Sequence, residues 1–196
     1  LSKPNFRAYS SCMPDDSRLL TPVPGRVSAE PGKLVTDPAV WTGDEMAARN
    51  DWIYTLSDDD IAALGDIAKQ VRATIGDDAD GLLALNSSEI NLGAFRAPMA
   101  EVCHQIKNGR GFQLVRGLPV VDWDRLDLAI AYWVIGLQIG TPLSNNPDGD
   151  MIGHVTDMGL DYENPNHRGY QTSAHMLFHT DQCDVVTLLC LQTSMS

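Results

Sequence analysis

Apolar residues recur at helical spacing most clearly at Ile61, Leu64, Ile67, Ala68, Val71 and Ile75. Ser57 ahead of Asp58, Asp59 and Asp60 supplies an N-cap and an acidic first turn, and Gly76 supplies a stop, so a helix is predicted between them. A second helix is expected to start near Pro98, to carry Met99, Val102, Cys103 and Ile106, and to stop at Asn108-Gly109. A short strand over Gly111 to Arg116 follows it. A third helix is expected to begin at a capping Asp122 and to run through Leu126, Ile130, Trp133, Val134 and Leu137 until Gly140-Thr-Pro142 ends it. Its broad apolar face, which includes the Trp123, Tyr132 and Trp133 cluster, is that of a buried helix.

Beyond Pro142 the periodicity disappears. Turn formers dominate as far as Ser173, which predicts short strands and long loops of the kind that often carry function. The run Asp184-Val-Val-Thr-Leu-Leu-Cys-Leu191 is β-branched and aliphatic almost throughout, the pattern of a central strand buried on both faces. At the other end, six of the eleven prolines fall within residues 1–40, where they remove backbone donors and fix φ. Residues 1–40 therefore read as a Pro-rich arm, and residues 41–196 as the N-terminal part of one domain that is incomplete at the C-terminus. The chain opens on Leu1 without a secretory apolar region, so trimming is expected there, and a cut is expected after Ser196.

Composition narrows the function classes. With 43% hydrophobic and 20% charged residues among 196, the chain is of the globular, soluble type, and no apolar run reaches membrane-span length. A net charge of −12 repels phosphate backbones and anionic lipid, which argues against nucleic-acid and membrane partners. Cys12, Cys103, Cys183 and Cys190 form no CxxC pair and are too sparse for a disulfide framework, so a reducing, cytoplasmic setting is expected.

The segment with candidate chemistry is His175-Met-Leu-Phe-His179-Thr-Asp181-Gln-Cys183. His179 and Asp181 are two apart, and in extended backbone they point to the same side, where both can reach one metal ion. Imidazole and carboxylate with a second His form the facial triad of non-haem Fe(II) oxygenases, which leaves positions open for cosubstrate and O2. Five His and 26 acids in 196 residues would give fewer than one such spacing by chance, and one occurs, so the pair alone decides nothing.

Its surroundings do more. The stretch from Arg168-Gly-Tyr170 through His179-Thr-Asp181 to Asp184-Val-Val-Thr-Leu-Leu-Cys190-Leu resembles the metal-binding stretch of the TauD/TfdA-like (taurine dioxygenase-like) Fe(II)/2-oxoglutarate oxygenases. Trp52-Ile-Tyr54, Gly109-Arg-Gly-Phe112 through Arg116-Gly-Leu-Pro119, and Ile135-Gly-Leu-Gln-Ile-Gly140-Thr-Pro142 look like further landmarks of that family. The resemblance implies an α+β, mainly β fold with a double-stranded β-helix (jelly-roll) core flanked by N-terminal helices. It also implies Fe(II) held by His179 and Asp181, 2-oxoglutarate as cosubstrate, O2, and a small-molecule substrate that is oxidised with release of succinate and CO2. In that family the second His ligand and the Arg that pairs with 2-oxoglutarate lie far downstream, and the resemblance places both beyond Ser196. A homo-oligomer is compatible with it.

Each residue has a plainer reading beside the functional one. His175 and His179 are four apart, a zinc spacing on a helix, but the intervening Glu of His-Glu-x-x-His is missing. His175 therefore reads as facing substrate or bracing the site. His154 and Tyr170 are substrate candidates on the loops, and Asn146 is another, although Asn145 and Asn146 are turn formers first. His167 is a weaker loop candidate, His104 a structural helix residue, and Cys183 an inert buried thiol. Arg168 either braces the ligand strand or faces substrate. The rival from another class is a non-catalytic jelly-roll binding or regulatory module without a complete triad.

Overall fold

The computed structural model describes residues 29–146, 149–164, 167, 169–175, 177–181 and 183–193. Most of the Pro-rich arm, Cys12 and Arg168 lie outside the described residues. The chain divides into two compact units, Leu1–Leu56 with Ala100–Arg116 and Ser57–Met99 with Gly117–Ser196.

In the first unit, Thr42 caps the short helix α1 (Gly43–Ala47), and the Thr42 amide donates in return to the Glu45 carboxylate. Strand β1 (Ile53–Thr55) pairs in parallel with β2 (Leu114–Arg116), with Ile53 opposite Leu114 and Thr55 opposite Arg116. Parallel strands cannot be joined by a tight turn, and the long excursion between them contains the helices Asp58–Ile75 and Arg96–Lys107. Phe112, just before β2, takes Trp41 at 5.1 Å and Trp52 at 6.0 Å between ring centroids, both tilted. Arg110, its side chain only 9% exposed, is neutralised by Asp51 at 2.9 Å and bonded to Gln113 at 2.8 Å, as a buried cation requires.

In the second unit, helix α2 (Asp58–Ile75) starts at the predicted Ser57 cap, whose hydroxyl accepts from the Asp60 amide, and ends at Gly76 with φ +69°. It buries Leu64, Ile67, Ala68 and Val71. Helix α4 (Arg125–Ile139) packs against it and buries Leu128, Ile130, Ala131, Trp133 and Val134. Leu82 and Phe95, on 3-10 turns, complete this core. At roughly 1.5 to 3 kcal/mol for each fully buried large apolar side chain, this packing outweighs intrinsic helix propensity.

Several boundaries differ from those expected. Helix α3 (Arg96–Lys107) begins two residues before Pro98, so the proline falls in the first turn, where a missing N–H costs no intrahelical bond. Helix α4 is capped by Asp124, not Asp122, because the Asp122 and Trp123 amides are both drawn back to the Pro119 carbonyl. The predicted strand at Gly111 starts only at Leu114, since Gly111 has φ +88° and its amide bonds Gln105. Between Pro142 and Ser173 the described residues form turns and one 3-10 segment (Gly169–Gln171) but no strand.

The largest difference lies in the run 184–191. It is not a buried strand: Val186 is 52% exposed and Leu188 82%. A strand buried on two faces needs neighbours on both edges, and among the described residues the backbone from Ser173 to Thr193 makes no backbone–backbone hydrogen bond. The described residues accordingly contain a two-stranded parallel sheet and no jelly roll.

Candidate functional site

The expected metal pair sits in irregular chain just before that run. His179 Nδ1 lies 2.8 Å from the Leu177 carbonyl oxygen. A carbonyl only accepts, so Nδ1 carries a proton, and in the neutral imidazole it is Nε2 that offers a lone pair. That Nε2 lies 3.8 Å from Asp181 Oδ1, and both side chains are 53% exposed. The distance is too long for a hydrogen bond, so neither atom is committed to the other.

This donor set fits two corners of a metal site. Ligand bonds of about 2.1 Å at a right angle place two donors about 3 Å apart, so the half-exposed side chains need to close by less than an ångström. Among the described residues no group of three His, Cys, Asp or Glu side chains is arranged to hold a metal ion. His175 and His154 are exposed and make no hydrogen bond to the pair. Cys183, expected to be a buried thiol, is exposed, with its Sγ 3.6 Å from the Val185 carbonyl.

The loop residues are organised locally. Asn146 accepts from the Asp150 amide at 3.1 Å and donates to the Asp150 carboxylate at 2.7 Å, so its side chain closes a turn. The Thr156 amide donates to the carbonyl of half-buried Tyr170, and the Met158 amide to that of Gln171, which joins the chain after His154 to the chain before His175. His167 Nδ1 reaches the Asp161 carbonyl at 2.8 Å and anchors its own turn. The structure thus pairs His179 with Asp181. It shows no contact from Asn146, His154, Tyr170 or His175 to that pair among the described residues.

One relevant residue escaped the sequence reading. Tyr132, read there as helix core, is half-buried and bonds Thr187, 55 positions away. No spacing rule signals a contact at that separation. An open cleft of 510 Å³ on the second unit, lined by Ile61, Gly65, Lys69, Trp123 and Asp124, contains none of the predicted site residues.

The family model described as taurine catabolism dioxygenase TauD, TfdA family matches residues 78–196. The chain belongs to that family. It is also similar to the FR-33289 synthase of Streptomyces rubellomurinus, 27% identical over 163 residues that cover 81% of this chain and 46% of that protein. A second relative is the taurine hydroxylase-like protein SAT17 of Stachybotrys chartarum, 25% identical over 175 residues that cover 83% and 43%. The chain therefore spans less than half the length of these curated relatives. No helix among the described residues is long and apolar enough to cross a membrane.

Proposed function

We propose that the chain carries part of the active site of an Fe(II)- and 2-oxoglutarate-dependent oxygenase that acts on a small molecule, within a fold completed as a jelly roll. The observation that carries this reading is the free Nε2 of His179 facing the Asp181 carboxylate at 3.8 Å, inside a segment matched to the TauD/TfdA family. His179 and Asp181 would be two of the metal ligands in this reading, and a second His beyond the described residues would complete the triad. Iron and 2-oxoglutarate, when bound, would supply with O2 the oxidation of a substrate C–H bond, with succinate and CO2 as coproducts.

The protein's own part is to hold and to select. The Leu177 carbonyl keeps His179 in the tautomer that presents Nε2. Asn146, His154, Tyr170 and His175 belong to loops that shape the substrate pocket, and the turns around Asp150 and Tyr170 give those loops a fixed course. The name of one relative, a taurine hydroxylase-like protein, fits a small-molecule substrate.

The test is anaerobic addition of 2-oxoglutarate to the Fe(II)-loaded protein, followed by O2 and assay of succinate. A weak visible absorption that develops with 2-oxoglutarate, then succinate formation, is expected. Tight zinc binding with no response to 2-oxoglutarate overturns the reading.

A further inference from the structure

We infer that Tyr132 is a positioning residue for the metal pair, a role that rests on the iron-holding reading of His179 and Asp181. The phenol oxygen of Tyr132, on helix α4, lies 2.7 Å from the Thr187 carbonyl oxygen and 2.8 Å from the Thr187 hydroxyl. The carbonyl can only accept, so the single phenol proton goes to it. The second contact then runs the other way, with the Thr187 hydroxyl donating to the phenol oxygen. Tyr132 and Thr187 are thus each donor and acceptor to the other, and the contact fixes both a side chain and a backbone unit.

What this contact holds follows from where it sits. Thr187 is six positions beyond Asp181, in a run whose apolar side chains Val186 and Leu188 are exposed and whose backbone, among the described residues, has no ladder partner. Among the described residues, the hydrogen bonds of His179 and Cys183 run to the nearby Leu177 and Val185 carbonyls. Helix α4 is the opposite case: Ile130, Ala131 and Val134, around Tyr132, are 0% exposed. The tyrosine ties an otherwise loosely held ligand segment to a rigid core element, and this is the supporting contact that a two-residue metal pair needs to keep its geometry.

The experiment measures anaerobic Fe(II) affinity and thermal midpoint for the wild-type protein, Tyr132→Phe, Thr187→Val, Thr187→Ser and the Tyr132→Phe/Thr187→Val double variant. Leu128→Ala serves as a variant that loosens helix α4 without touching the tether. Tyr132→Phe, which removes both contacts, is expected to weaken Fe(II) binding by about tenfold, and Thr187→Val, which leaves the phenol donating to the residue-187 carbonyl, by less. The double variant should be no worse than Tyr132→Phe, because Tyr132→Phe already removes both contacts and Thr187→Val only the one through the hydroxyl. Thr187→Ser should bind as wild type, and Leu128→Ala should lower the midpoint while leaving the Fe(II) affinity of the folded protein unchanged. Undiminished Fe(II) binding in Tyr132→Phe overturns the inference, as does an equal loss in Leu128→Ala. A wild-type protein that binds no Fe(II) overturns the metal reading itself.

Discussion

Arg72, in the last turn of α2, donates to the carboxylate of Asp124, the residue that caps α4, across 52 positions of sequence. The same guanidinium also reaches Asp77 at 2.8 Å and Asp127 at 3.0 Å, so one cation joins the end of one core helix to the start of the next. This is the ion-pair centre of the second unit's helical scaffold.

A pH dependence follows. The hydrogen bond from Arg72 comes first, and the Asp127 amide second, among the causes that hold the Asp124 carboxyl below its ordinary value of 3.8. A carboxyl with a depressed folded-state value contributes stability that is fully present above the unfolded value and is lost as pH falls through the folded one. Arg72→Gln should therefore lower the thermal midpoint at neutral pH, with the gap to wild type closing on acidification below the ordinary carboxylate range. Melting curves from neutral to acid pH check this, and a gap that widens in acid contradicts it. The gap should be modest, because the partners are partly exposed and water screens them.

The helical core should respond as a packed interior. Leu64 on α2 is 0% exposed, so Leu64→Ala removes buried methyl groups and leaves a cavity, a loss of about 2 to 5 kcal/mol by denaturant titration. Val121→Ala, at a position 91% exposed, should change stability by no more than about 0.5 kcal/mol. Similar effects at the two positions would contradict the placement of the core.

Much of this scaffold was legible in the sequence. Ser57 followed by Asp60, the apolar positions from Ile61 to Val71 and the closing Gly76 are local signals, and local signals fixed α2 at both ends. Where the boundary depended on a competing hydrogen bond, as at Asp122 and Gly111, the pattern gave the element but misplaced its edge. The run 184–191 shows the other limit. Its composition is that of a buried strand, yet strand formation is decided by partners elsewhere, and among the described residues only Tyr132 reaches it over a long range. The site divides in the same way: the two-residue spacing of His179 and Asp181 brought them face to face, whereas nothing local could announce Tyr132 and Thr187.

For the loops, His154→Ala is expected to reduce substrate-coupled succinate formation about tenfold or more while Fe(II) affinity stays near wild type. His154 lies two positions before Thr156, whose amide ties the loop to Tyr170, and it makes no contact with the metal pair among the described residues. Steady-state succinate assays and Fe(II) titration of the same preparation separate the two effects. Loss of iron in this variant would make His154 a ligand and would overturn its placement in the substrate pocket.

The most direct measurement is the stoichiometry of Fe(II) bound anaerobically by the wild-type protein, Asp181→Asn and Asp184→Asn. All three carry an exposed amide or carboxylate at the altered positions, so folding should be unaffected, and circular dichroism should show superimposable spectra. The account predicts one iron per chain in the wild-type protein and in Asp184→Asn, and loss of that iron in Asp181→Asn. Retention of iron by Asp181→Asn, or equal loss in Asp184→Asn, would contradict the claim that His179 and Asp181 together form the metal pair.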